Sequence, residues 1–256
     1  IIAAVAGARL YVGHTMPVYL TSATVLINET EDRPQSQSIA LLQGLGLPGG
    51  MENLENQIMI LKSRALIESA LYELPFELEY YIRTIKNKLP FYPDAPVAVV
   101  SDGEMPLPKD TEFSISYLGN NKFILQSESE SFPFNKTIVF GETLEISGDS
   151  LKILCNNEEW FNTHKDRKLY FINNSFNNLV KSYSKRIDVQ KVSRDGSVLN
   201  VSILGTNVKK DVDFLNKHLE KYQNISLNRK NMEAERRIQF IDDQLIGISD
   251  SLSITE

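Results

Sequence analysis

The 256-residue chain reads as an α+β fold: an α/β domain near the start, an antiparallel β-module set into it, and a long projecting helix at the C-terminal end. Three observations lead to this reading. Apolar residues step by four and three along 53–74 and again beyond 206, the period of an amphipathic helix. Between about 90 and 172 the texture changes to short β-rich runs, punctuated by Pro90, Pro93, Pro96, Pro106 and Pro108. After Thr206 no strand pattern or turn cluster interrupts the chain.

Taken in order, "IIAAVAGA" (1–8) is uncharged and apolar, and Arg9 ends it. It is too short to cross a bilayer by itself and lacks the basic start of a secretory signal. It reads as the last turns of a membrane helix that begins upstream, with a buried terminal helix or strand as the alternative. "YLTSATVLIN" (19–28) is rich in β-branched residues and predicts a strand. "ETEDRPQSQS" is a water-facing loop, and "IALLQ" a helical turn stopped by glycines.

Residues 53–74 predict one helix, with Leu54, Ile58, Leu61 and Ala65 on its apolar stripe, Asn53 as cap and Pro75 as stop. "FELEYYI" (76–82) alternates as a strand. The module follows with "PVAVVS", "EFSISYL", "KFILQS", "KTIVF", "TLEIS", "LKILC" and "KLYFIN", and Gly119-Asn120-Asn121 supplies a hairpin turn. "SFNNLVKSYSKR" (175–186) predicts a helix capped by Ser175, with Phe176, Leu179, Val180 and Tyr183 on one face. "IDVQKV" and "VLNVSIL" are strands joined at Asp195-Gly196.

The last run is the most informative. Val208, Val212, Leu215, Leu219 and Tyr222 form one stripe, and Ile241, Leu245, Ile248 and Leu252 another. A helix from 208 to 252 would be about 66 Å long at ~1.5 Å per residue, more than one small domain covers. Between the stripes, Arg229, Lys230, Glu233, Glu235, Arg236 and Arg237 form a polar collar. That collar is either a solvated helix face or the lining of a polar assembly lumen.

Chemistry is largely excluded. The net charge of −6 supplies no general attraction for nucleic acid or anionic lipid, so no nucleic-acid partner is expected. Cys155 is the single cysteine, which removes an internal disulfide and a cysteine-built metal site. Gly44-Leu-Gly46-Leu-Pro-Gly49 has the spacing of a dinucleotide loop, but some fifteen residues separate it from the preceding strand and Pro48 removes a backbone donor. It reads as a bend before a helix, and no cofactor is expected. His14, His164 and His218 are far apart and read as surface histidines. Glu128 and Glu130 would share one face of a strand, and Trp160 beside Phe161 would either stack on a sugar or fill a core. No catalytic residue and no metal ligand is assigned, and this segment reads as non-enzymatic.

The blocks "TMPVYLTSATVLI" (15–27), "ENQIMILKSRALI" (55–67), "VLNVSILGTNVKKDVDFLNKHLEKY" (198–222) and "RRIQFIDDQL" (236–245) resemble, in that order, the Wzz/Wzc polysaccharide co-polymerase (chain-length determinant) family. The likeness is to the periplasmic region of Bacteroides-type members, which carry an inserted β-module. It implies the end of a first transmembrane helix at 1–12 and a Wzz-type membrane-proximal α/β domain at 13–89 and 173–205. The inserted module would occupy 90–172, and a truncated long helix 206–256. It further implies an inner-membrane, periplasm-facing protein held by flanking membrane helices and assembled into rings, often octameric. Such rings regulate the length and export of capsular, exopolysaccharide or O-antigen glycan, with the polymerase and growing glycan as partners. Wzc-like members also work with an outer-membrane export channel and add a cytoplasmic tyrosine autokinase, to which nothing in this chain corresponds.

On this reading the contact candidates are Leu54, Ile58, Leu61 and Arg64 on the first helix, and Leu215, Leu219, Arg236, Arg237, Ile241 and Leu245 on the last. Arg64 is either an inter-subunit or sheet-edge contact or an ordinary solvated arginine. A periplasmic adaptor of an efflux or secretion system and a carbohydrate-binding β-module are the rival readings.

Overall fold

The computed structural model describes residues 17–27, 51–84, 87–101, 103, 105–146, 149–193 and 197–255. The apolar start at 1–8, the glycine bend at 44–49 and Asp195-Gly196 lie outside the described residues. The architecture is mixed α and β, with two hydrophobic cores.

The first core is built on a three-stranded antiparallel sheet of β1 (Tyr19–Leu26), β12 (Val198–Gly205) and β11 (Ile187–Lys191), with β12 in the centre. Alternation decides which side is covered. Leu199, Val201 and Ile203 are fully buried on one face, opposite Val25, Ala23 and Thr21 of β1. Leu20, Leu26 and Leu204 point the other way and are exposed.

Helices α1 (Met51–Leu61), α2 (Arg64–Leu71) and α4 (Phe176–Arg186) contribute to this core, together with the first turns of α5 (Val208–Thr255). The single helix expected over 53–74 is therefore two. Ser63 takes an extended conformation and its hydroxyl accepts from the Leu66 N–H at 3.3 Å, capping α2 and ending α1. Asn53 lies within α1, and Ala65, expected on the apolar stripe, is exposed.

The second core lies between two further antiparallel sheets. One has the order β3-β2-β10-β5-β6-β7 and the other β4-β9-β8. Their strands are β2 (Leu78–Arg83), β3 (Lys88–Phe91), β4 (Val97–Ser101), β5 (Glu112–Gly119), β6 (Lys122–Ser127), β7 (Phe134–Val139), β8 (Thr143–Ile146), β9 (Asp149–Cys155) and β10 (Leu169–Asn173). Phe113, Phe123, Phe171 and Leu125 from the large sheet meet Val97, Leu151 and Ile153 from the small one. Phe161, from the short helix α3 (Glu158–Thr163), joins them. The boundary expected at residue 90 falls inside the large sheet, because β2 and β3 pair with each other and β2 pairs with β10.

Gly119, Asn120 and Asn121 all have positive φ (91°, 51° and 62°) and turn β5 into β6. Glu128 and Glu130 lie past the end of β6 rather than on a strand, so no shared strand face presents them together.

Tyr92, directly after Phe91 of the second core, packs on the first. It packs edge-on against Phe76 with ring centroids 5.4 Å apart, and its hydroxyl donates to Asp213 of α5 at 2.7 Å. Burial and the neighbouring Asp213 carboxylate push its ionisation up to about 12.

Candidate functional site

The feature that distinguishes this chain is helix α5, whose two parts meet opposite conditions. Its N-terminus is capped by Asn207, whose Oδ1 accepts from the Lys210 N–H at 3.0 Å while its Nδ2 donates to the Tyr92 carbonyl at 3.3 Å. From there to Tyr222 the helix is seated on the first core. Its inward face is Asp211, Phe214, Leu215, His218 and Tyr222, each buried. That face is shifted from the expected stripe: Val208 is 44% exposed, and two polar residues stand where apolar ones were sought.

Each polar residue on the face has a specific partner, although Asp211 Oδ2 and His218 Nδ1 have none among the described residues. The His218 Nε2 donates to the Leu61 carbonyl at 2.9 Å, which fixes the proton on that nitrogen. Burial lowers the imidazole to about 4, so the ring is neutral near pH 7. His218 is thus an interior residue, contrary to the surface position expected for it. The carbonyl it holds closes α1 just before the Ser63 break. The Tyr222 hydroxyl donates to Gln57 Oε1 at 2.8 Å, tying the same helix to α1 one turn further on.

Asp211 receives Arg186 Nη1 at 3.3 Å, and the guanidinium also covers the Tyr183 ring at 4.2 Å. Burial raises Asp211 above its usual range, opposed by the Arg186 charge. Gly205 makes room for it: a Cβ there would stand 1.8 Å from Asp211 Oδ2. Phe214 fills the centre, 4.4 Å from the Tyr183 ring and 5.4 Å from His218.

Beyond Lys230 every described side chain of α5 is exposed. Leu227, Asn231, Ala234, Ile238, Ile241 and Leu245 recur at 4-3-4-3-4 spacing along this part, the spacing of a helix-packing seam. Ile238, Ile241 and Leu245 are 60, 55 and 59% exposed. Phe240 and Ile246 widen the apolar area beside them. A water-facing helix would carry polar residues at these places.

The contact candidates therefore separate. Leu54, Leu61 and Leu215 are buried in the first core, and Ile58 and Leu219 are packed partly against it, so their apolar surface serves their own chain. Arg64 is exposed and bonds Glu68 Oε1 at 2.7 Å and Asn177 Oδ1 at 2.8 Å, linking α2 to the start of α4 rather than to a sheet edge. Arg236, Ile241 and Leu245 stand on the open half of α5. The Arg237 side chain, with those of Ile248 and Leu252, lies outside the described ones.

Sequence reasoning missed Asp211 and His218, because counting apolar residues passes over polar ones that face inward. Among the described residues no group of three His, Cys, Asp or Glu side chains is placed to hold a metal. Among them too, no helix is long and apolar enough to cross a membrane. No protein-family model matches the chain.

Proposed function

We propose that this chain is the periplasmic part of an inner-membrane polysaccharide co-polymerase, which regulates the length and export of a surface glycan by assembling into a ring. The observation that carries the reading is the bare seam Ile238, Ile241 and Leu245 on a helix whose root is fixed by buried contacts. Copies of the chain would shelter the seam by packing outer half against outer half, and the rigid root would set the angle between them. Chain length would then follow from assembly geometry, with the polymerase and growing glycan held near the membrane, rather than from bond chemistry within this domain. Among the described residues none packs on the outer half of α5.

The test is to replace Ile241 and Leu245 with glutamate in the parent gene and run surface polysaccharide on a gel. The expected result is a collapsed or broadened length distribution with normal protein levels. A distribution identical to wild type would reject the proposal.

A further inference from the structure

A cleft in the β-module takes no part in the contacts described so far. It lies between the β3–β4 loop and the start of α3, and its walls include Phe91, Pro93, Asp94, Asn156, Asn157 and Trp160. Its volume of about 400 Å³ is that of a small-ligand site, which usually measures ~300–1,000 Å³.

The walls differ in chemistry. On one side the Trp160 indole is half-buried and held by three rings. His164 stacks on it at 4.9 Å and 17°, while Phe91 and Phe161 meet it edge-on at 5.5 and 5.1 Å. His164 is itself fixed, because its Nδ1 and its backbone N–H both donate to the Trp160 carbonyl, at 2.9 and 3.0 Å. The other side is polar. Asn156 and Asn157 both donate their backbone N–H to the Pro96 carbonyl, and Asn156 Nδ2 donates to Ala95. Asn157 Oδ1 accepts from the Trp160 N–H at 2.9 Å. These bonds fix both amides and leave Asn156 Oδ1 as an acceptor and Asn157 Nδ2 as a donor, in a lining that also holds the Asp94 carboxylate. The loop wall is anchored as well, since Tyr92 is bonded to Asp213 and Asn207.

We propose that this cleft binds one or two rings of an uncharged saccharide. The C–H face of a sugar is apolar and suits a rigid indole, whereas its rim carries hydroxyls that both donate and accept. Asp94 and Asn156 Oδ1 receive those protons, and Asn157 Nδ2 supplies one to a hydroxyl oxygen. Asp94 is the charged residue of the lining, and its carboxylate disfavours phosphates and uronic acids. A quaternary ammonium would satisfy the rings and Asp94 but leave both amides unpaired. The cleft stands on its own geometry; only the identity of its ligand with the regulated polymer rests on the function proposed above.

Trp160 is the single tryptophan of the chain, so its emission reports on this cleft alone. The 256-residue protein is titrated with a panel of neutral mono- and oligosaccharides, and with tetramethylammonium and glucuronate for comparison. A saturable change with at least one neutral saccharide is expected. Asp94→Asn, at unchanged Tm, weakens it about tenfold or more. Asn157→Asp keeps the oxygen that caps α3, removes the donor and also weakens binding.

The proposal falls if no neutral saccharide gives saturation up to about 100 mM. It falls equally if tetramethylammonium or glucuronate binds as well as the best sugar, or if Asp94→Asn binds like wild type. Glutamates at Ile241 and Leu245 leave the titration unchanged, so loss of sugar binding and loss of assembly are read separately.

Discussion

Between Asp211 and Tyr222, helix α5 gives its inner side to α1, α2, α4 and β12 and leaves no large apolar group of that side in water. Past Lys230 the same helix continues with apolar residues at regular spacing and nothing among the described residues on top of them. The difference lies in what the rest of the chain brings to each half, not in the helix itself. A buried helix face can afford aspartate and histidine only where a guanidinium, a glycine and a free carbonyl stand ready for them. A seam that is aliphatic at Ile238, Ile241 and Leu245 needs no such partners there and can be closed by a surface of matching shape.

The two halves should respond differently to mutation. The largest effect is expected at the root, where Phe214→Ala removes a fully buried ring and should cost about 3–5 kcal/mol in a urea titration. A cost below about 1 kcal/mol would mean that the root is not part of the folded body.

Next comes a dependence on pH. The imidazole of His218 sits near 4 when folded and near its ordinary 6.5 when unfolded, so the unfolded chain binds the extra proton between those values. Stability from this group is complete above about pH 6.5 and is lost as pH falls through 4, by up to ~3 kcal/mol. His218→Gln should flatten that part of the pH profile relative to wild type, and an unchanged slope would place the ring in water.

A smaller effect belongs to Arg64→Ala, which breaks exposed bonds to Glu68 and Asn177 and should cost no more than about 0.5 kcal/mol. A larger loss, or a change in oligomer size with no loss, would return Arg64 to the assembly surface. Smallest is the effect on folding of Ile241→Ala or Leu245→Ala in dilute protein, expected within about 0.5 kcal/mol of zero. Sedimentation at rising concentration should nevertheless separate those variants from wild type. A destabilisation of about 2 kcal/mol at high dilution would show that the outer half is already covered within the chain.

Elements built from local pattern were readable in the sequence. Leu199, Val201 and Ile203 alternate as a half-buried strand must, and Leu179, Val180 and Tyr183 mark the inner face of α4. The Gly119-Asn120-Asn121 turn follows from residues that tolerate positive φ. What could not be read depends on distant partners. Ser63 looks like any surface serine, and an apolar stripe stepping by four and three runs straight across the break it makes. Asp211 and His218 face inward because Arg186 and the Leu61 carbonyl meet them, from 25 and 157 positions away. Helix α3 is only six residues long, too short for a periodic signal, yet it places Trp160 in the lining of the same cleft as Asp94. The Arg64–Glu68 pair has the i,i+4 spacing of one helix, but the bond to Asn177 depends on α2 and α4 lying side by side.

The hold that Leu61 and Gln57 exert on His218 and Tyr222 sets the compass bearing of everything downstream. Each residue of an α-helix advances the facing direction by about 100°. Inserting one alanine between Tyr222 and Leu227 would leave the globular part intact, yet it would swing the greasy flank by more than a quarter turn. Neighbours docking along that flank would then meet it at the wrong azimuth, however well each copy had folded.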